Sequence, residues 1–240
     1  TRPITYCGQP KNRRRWEIRL LDEESELEFT KPSKVWSILK KWINPKVAEL
    51  ERTAVYTFRS MVSKKWMKGR LFIAGDAAHL MPPFMGQGMC AGIRDVANLA
   101  WKLVAEIKNQ AEAGLLDTYE SERVPHVQKY IDTAIKLGGL INATDPTNAF
   151  ESSKKNTKNG TTMKSLYPEL GIGLGSFLGS NLKKHRGLIA SQPRLSKNQL
   201  MDDLSGYKSV FISRSPIKRL LANISELPFL CIDTIAEPNL

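Results

Sequence analysis

The chain has 240 residues, 41% of them hydrophobic, and a formal net charge of +12. That length allows one large domain or two small ones, and the apolar share is enough for a packed core. The absence of an apolar run of about 18 residues argues against a membrane-spanning helix, and Thr1-Arg2-Pro3 does not open a charged-then-apolar leader.

The three cysteines, Cys7, Cys90 and Cys231, are scattered and lack CxxC spacing. An odd, dispersed set argues against a disulfide framework or a zinc site and favours a reducing, cytoplasmic compartment. Basic clusters at 11–15, 64–70 and 183–186 raise the alternative of a nucleic-acid-binding protein. No nucleic-acid module accompanies them, and they read as solvated surface.

In chain order, residues 1–21 alternate loosely and predict strands at Ile4–Tyr6 and Arg15–Leu20 around a Gly8–Lys11 turn. A helix is expected over Lys31–Ile43, with Val35, Ile38, Leu39, Trp42 and Ile43 as its apolar positions. Pro32 suits its first turn and Asn44-Pro45 stops it. Ala54–Met61 alternates again and predicts a strand, with Val55, Thr57 and Arg59 on one face and Tyr56, Phe58 and Ser60 on the other. Leu71–Ala74 has the length and type of a buried strand, and Gly75-Asp76 ends it. A loop with Pro82-Pro83 and Gly86-Gln87-Gly88 follows. Apolar residues at Met89, Ile93, Val96, Ala97, Ala100 and Val104 then predict a helix to about Asn109. Leu115–Leu140 predicts a second long helix, bent or restarted at Pro125. Beyond Asn142 the pattern weakens. Residues 152–162 read as a polar loop, and Leu200, Asp202, Asp203 and Gly206 precede a strand at Ser209–Ile212. The glycine run Gly171–Gly179 misses GxGxxG spacing and is expected to be a loop or turn rather than a nucleotide site.

Strand, acidic turn, proline loop and glycine-started helix suit an anionic ligand held at a helix N-terminus. The residues Gly75-Asp76-Ala77-Ala78-His79, Pro82-Pro83, Gly86-Gln87-Gly88, Gly92, Asp95, Asn98-Leu99 and Trp101-Lys102-Leu103 resemble the second FAD-binding motif of the class A aromatic-ring flavoprotein monooxygenases. These are the para-hydroxybenzoate hydroxylase-like group, and the branch most similar is that of the 3-(3-hydroxyphenyl)propionate hydroxylases. The resemblance runs from about Tyr6 to Arg123 and more weakly to the end.

The resemblance implies an α/β fold of mixed α+β character. An incomplete FAD-binding domain (67–145) would lie between part of a substrate-binding β-sheet (1–66) and a weak C-terminal extension (146–240), where relatives carry a thioredoxin-like domain. The family's glycine-rich Rossmann turn for the ADP part of FAD, and its later Asp-Gly motif, do not occur. The chain is therefore expected to be the C-terminal portion of such an enzyme, inactive by itself.

Gly75, Asp76, Pro83, Gly86, Gln87, Gly88, Met89 and Cys90 are the implied FAD contacts. Asp76 would bond the ribityl and pyrophosphate region, and the amides of Met89 and Cys90 would face the ring edge that turns negative on reduction. The implied reaction is hydroxylation of a phenol-like ring, with NAD(P)H as reductant and O2 as oxidant. Its partners would be a small aromatic substrate and a second copy of the enzyme, with no metal and no membrane. A remnant that keeps the fold but not FAD is the alternative. His79 could act as a base, but a structural hydrogen bond within the loop is the favoured role. Asp95 and Asn98 share a helix face. Arg94 and Lys102 are assigned to solvent or acidic partners, Leu99, Trp101 and Leu103 to the core, and Cys90 to buried packing.

Overall fold

The computed structural model describes residues 2–141, 165–173, 186–190, 194–197, 199–206, 209–213 and 229–233. Its contacts divide into two units, Thr1–Leu188 and Ile189–Leu240.

The first unit opens with an antiparallel hairpin of β1 (Ile4–Gly8) and β2 (Arg14–Ile18), with Tyr6 opposite Trp16. The two rings lie 4.7 Å apart, and Trp42 comes within 5.2 Å of Trp16. Trp42 follows α2 (Pro32–Leu39), which starts on proline as expected and ends short of Ile43. A one-turn helix, α1 (Glu26–Phe29), precedes it. An ion pair between Arg2 and Glu24 ties the start of the chain to this region.

The strand expected over Ala54–Met61 does not form. Only β3 (Met61–Val62) pairs, with β6 (His79–Leu80). Alternation supplies two faces, but a strand also needs a neighbour's backbone. None of the described strands lies beside 51–60. Similarly, the run Leu71–Ala74 yields only β5 (Leu71–Phe72), paired with β4 (Met67–Lys68) across Gly69 at φ 59°. Leu71 is exposed rather than buried.

Two long helices follow among the described residues of this unit: α3 (Gly88–Ile107) and α4 (Asp117–Ile141). Between them and the short strands sits the core of Trp66, Ala78, Ala91, Leu99, Tyr119, Val127 and Ile131. Pro125 lies inside α4 and neither ends nor restarts it. It removes the amide that would bond the Ser121 carbonyl. The backbone of Gly171 closes on this place and donates to Glu122 O at 2.8 Å. A Cβ on Gly171 would fall 2.0 Å from Ser121 O, and one on Gly173 would fall 2.1 Å from Glu122 Oε1. These glycines serve close approach to α4. The rest of the glycine run lies outside the described residues, as does the expected loop at 152–162.

The face that α3 turns inward is not the apolar stripe that revealed the helix. Ala91, Asp95, Leu99 and Lys102 are buried, whereas Met89 is 77% and Ile93 60% exposed, and Val96, Trp101, Val104 and Ile107 are exposed too. Trp101, expected in the core, is therefore a surface residue of the unit. A contiguous apolar stripe of this kind drives association. The purified chain is expected to self-associate at micromolar concentration, and Ile93→Glu with Val104→Lys to disperse it. Light scattering that finds the unsubstituted chain monodisperse and monomeric would contradict this.

In the second unit β7 (Arg194–Ser196) pairs with β8 (Gln199–Leu200), and α5 (Met201–Ser205) follows. Asp203 Oδ2 accepts from Leu200 N at 2.8 Å, satisfying a free amide at the helix start. The expected strand appears as β9 (Ser209–Ser213), which runs parallel to β10 (Phe229–Asp233). Short antiparallel hairpins, one parallel pair and two long helices give the mixed α/β character expected. No described helix is long and apolar enough to cross a membrane.

Candidate functional site

The site grows from two loops laid against α3 and α4. Gly75 opens a 3-10 turn, Gly75–Ala77, with φ 58°, a left-handed conformation that favours glycine. A Cβ added to Gly92 would lie 3.3 Å from Gly75 Cα. Glycine at both positions lets the turn rest on the first turns of α3. Asp76 follows directly, on the surface.

Beneath the turn is Asp95, fully buried. Its Oδ2 accepts from the Gly75 N–H at 3.0 Å and from His79 Nε2 at 2.6 Å, and its Oδ1 accepts from Arg123 Nε at 2.8 Å. A carboxylate only accepts, so the proton of the His79 bond sits on Nε2. Burial pushes the Asp95 carboxyl up. The bonds from His79, Arg123 and the Gly75 amide, with the Arg123 charge, outweigh it and hold the group below its ordinary value. His79 is thus a structural partner, though its bond runs to Asp95 of α3 rather than within the loop as expected. Its ring lies 5.4 Å from that of Trp66. His79 Nδ1 and Trp66 Nε1 are buried without a hydrogen-bond partner among the described residues.

The second loop carries Pro82, Pro83 and Gly86. Pro83 begins a 3-10 turn, Pro83–Met85, and Gly86 leaves it at φ 62°. Phe84 packs on α4 at Gly138, where a Cβ would come within 2.3 Å of the ring. In contrast, a Cβ on Gly86 or Gly88 would meet nothing within 4 Å, so that side of the loop is open. The first intrahelical bond of α3 runs from Ala91 N to Gln87 O at 2.8 Å. The amides of Gly88, Met89 and Cys90 precede it and have no carbonyl to bond within the helix. Gln87 supplies no side-chain cap; its Oε1 accepts from Arg94 Nη1 at 3.3 Å. Met89 is exposed and Cys90 is half-buried, not buried as expected.

Lys102 does meet an acidic partner, but inside the protein. Glu122 Oε2 accepts from Lys102 Nζ at 2.6 Å and from Asn98 Nδ2 at 2.8 Å. Burial lowers the Lys102 pKa and Glu122 opposes the shift. Arg94 lies over the Tyr130 ring at 5.2 Å. Tyr119, also buried, donates to Ile73 O at 3.0 Å, and desolvation pushes its hydroxyl pKa up. The sequence reading missed Tyr119, Glu122, Arg123 and His126 as a buried set. The signal was present: Tyr119, Val127, Ile131 and Ala134 recur at helical spacing, which places 122, 123 and 126 on the same inward face.

An anchored left-handed turn, a proline-stiffened loop and a helix opening on free amides form a framework suited to an anionic ligand at a helix start. Residues 3–134 match the family described as FAD binding domain, and the chain belongs to that family. Over 228 residues it is 36% identical to a probable NADH-specific resorcinol 4-hydroxylase of Rhodococcus jostii RHA1, covering 93% of this chain and 42% of that protein. Over 150 residues it is 38% identical to 3-(3-hydroxy-phenyl)propionate/3-hydroxycinnamic acid hydroxylase 2 of Burkholderia vietnamiensis G4, covering 62% of this chain and 28% of that protein. A ternary complex of aklavinone-11 hydroxylase with FAD and aklavinone shares the fold, with a TM-score of 0.73 at 20% identity, covering 97% of this chain and 46% of that one. The chain spans less than half the length of each of these proteins.

Proposed function

We propose that this chain forms the C-terminal wall of the FAD site in a flavin-dependent monooxygenase that hydroxylates a small phenolic substrate with NAD(P)H and O2. The observation that carries the proposal is the open shelf from Gly75 to Cys90: an exposed Asp76 on an anchored turn beside the free amides of a helix start. Membership in the FAD binding domain family and the names of the two hydroxylases support it.

Bound FAD supplies the redox chemistry and the activation of oxygen. The residues of the chain bind and orient it. Asp76 accepts hydrogen bonds from the hydroxyl-bearing chain of the cofactor. Gly75, Gly86 and Gly88 leave room for backbone contact, and Pro83 stiffens the loop and limits water. Gln87 sets the loop's entry into α3. The amides of Met89 and Cys90 stabilise negative charge at the ring edge by about 0.3–1 kcal/mol. In this proposal 1–66 belongs to the substrate-binding sheet, 67–145 to the FAD-binding domain and 146–240 to an extension. The same proposal includes a homodimer of the complete enzyme.

The test is Asp76→Ala in a polypeptide that joins this chain to a glycine-rich nucleotide-binding half. Losing a charge-assisted bond of about 1.5–3 kcal/mol should weaken FAD binding about 10- to 100-fold, with substrate preference unchanged. Flavin retained through dialysis at full affinity would return Asp76 to a plain turn role.

A further inference from the structure

We propose that the buried Asp95–Arg123 pair is the positioning device of the flavin-facing turn: it fixes Gly75 and Asp76 to both long helices, and so sets where Asp76 stands without touching the cofactor. The flavin part of this inference rests on the function proposed above; the anchoring itself does not.

Of the three donors on Asp95, two come from the turn segment, Gly75 and His79, and the third comes from α4. Arg123 also points Nη2 at Ala91 O, 3.5 Å away, in the first turn of α3. One ion pair therefore ties together the residue before Asp76 and the helix start that carries the free amides. Stability alone does not call for a charge at this position, because well-packed apolar side chains commonly replace a buried ion pair without loss. An apolar side chain cannot, however, accept the Gly75 N–H. That amide lies in a left-handed turn with Gly92 packed against it, and an unpaired amide there would open the turn.

A second buried pair provides the comparison. Lys102 and Glu122 join the same two helices, and the bonds that define this pair run to each other and from Asn98 to Glu122, within α3 and α4. A role confined to helix register would be common to both pairs; a role in placing the turn belongs to Asp95–Arg123.

Hydrogen exchange read by mass spectrometry on the 240-residue chain separates these roles. Asp95→Asn keeps the side-chain volume but offers one oxygen to three donors. It should speed exchange in the peptide containing Gly75 to His79 about tenfold or more and leave the middle of α3 and α4 protected. Lys102→Met should leave the turn peptide unchanged. Equal acceleration in both variants, or an unchanged turn in Asp95→Asn, would overturn the proposal. If Asp95→Asn loses its helical circular dichroism, Arg123→Lys takes its place. It keeps the charge but shortens the reach, and the same local acceleration is required of it. In the polypeptide that joins this chain to a glycine-rich nucleotide-binding half, loaded with FAD, Asp95→Asn should raise FAD dissociation about tenfold while Lys102→Met does not; equal dissociation in the two variants would also overturn the proposal. If that joined polypeptide binds no FAD even without a substitution, the functional proposal fails, and the exchange result alone decides whether the turn is anchored as described.

Discussion

Arg123→Ala is expected to destabilise the first unit by about 3–5 kcal/mol, the usual consequence of leaving one member of a buried ion pair without the other. Asp95 would remain fully enclosed with only the Gly75 amide and His79 to offset its desolvation. A domain of ordinary stability holds about 5–15 kcal/mol in total, so this single change would remove a large share. Asp95→Ala combined with Arg123→Ala should cost clearly less than the sum of the two single changes, because the second removes a charge the first has already stranded. Urea unfolding followed by tryptophan fluorescence, with Trp66 buried in the same core, measures all three. A loss below about 1 kcal/mol for Arg123→Ala would place the pair in the range of exposed ion pairs and contradict the enclosed geometry.

That pair also marks where sequence reading stops. The start of α3 at Gly88 was legible because glycine and proline punctuate the chain just before a clear helical period. The β1–β2 hairpin and α4 were legible for similar local reasons. Which face of α3 lies inside was not legible. Its inner face carries Asp95 and Lys102, and their burial is compensated by Arg123, 28 residues from Asp95, and Glu122, 20 residues from Lys102. Hydrophobic period alone assigns such a face to solvent. The stretch Ala54–Met61 failed for a different reason, since a two-residue alternation says nothing about whether a neighbouring strand exists. At the site, the residues from Gly75 to Cys90 are candidates because their glycines, prolines and aspartate form a long pattern that resembles the family's motif. Glu122 and Arg123 stand in a helix opening that resembles the family's, but as charged residues they carry no sign of burial in themselves. Only the spacing of Tyr119, Val127 and Ile131 around them shows otherwise.

His126 is expected to make the first unit acid-sensitive. It is buried on the inner face of α4, its ring 5.3 Å from that of Tyr130, and its Nδ1 has no partner among the described residues. Desolvation, together with the charges of Arg123, Arg94 and Lys129 and against that of Asp95, lowers its pKa from 6.5 to about 4. The folded protein thus holds a neutral ring through a range in which the unfolded chain takes up a proton. Because the unfolded state binds more protons there, stability falls as the pH drops from about 6.5 to about 4. At about 1.4 kcal/mol per unit the loss totals about 3 kcal/mol, and below the folded-state pKa this group removes nothing more. Asp95, held below its ordinary carboxyl range, adds its own loss only at lower pH, so the two windows separate. His126→Phe keeps an aromatic ring against Tyr130 and cannot titrate. Its urea midpoint should change far less than that of the parent chain between about pH 7 and about pH 4.5. An equal fall in both proteins would assign the acid sensitivity to another group and leave His126 as a packing residue.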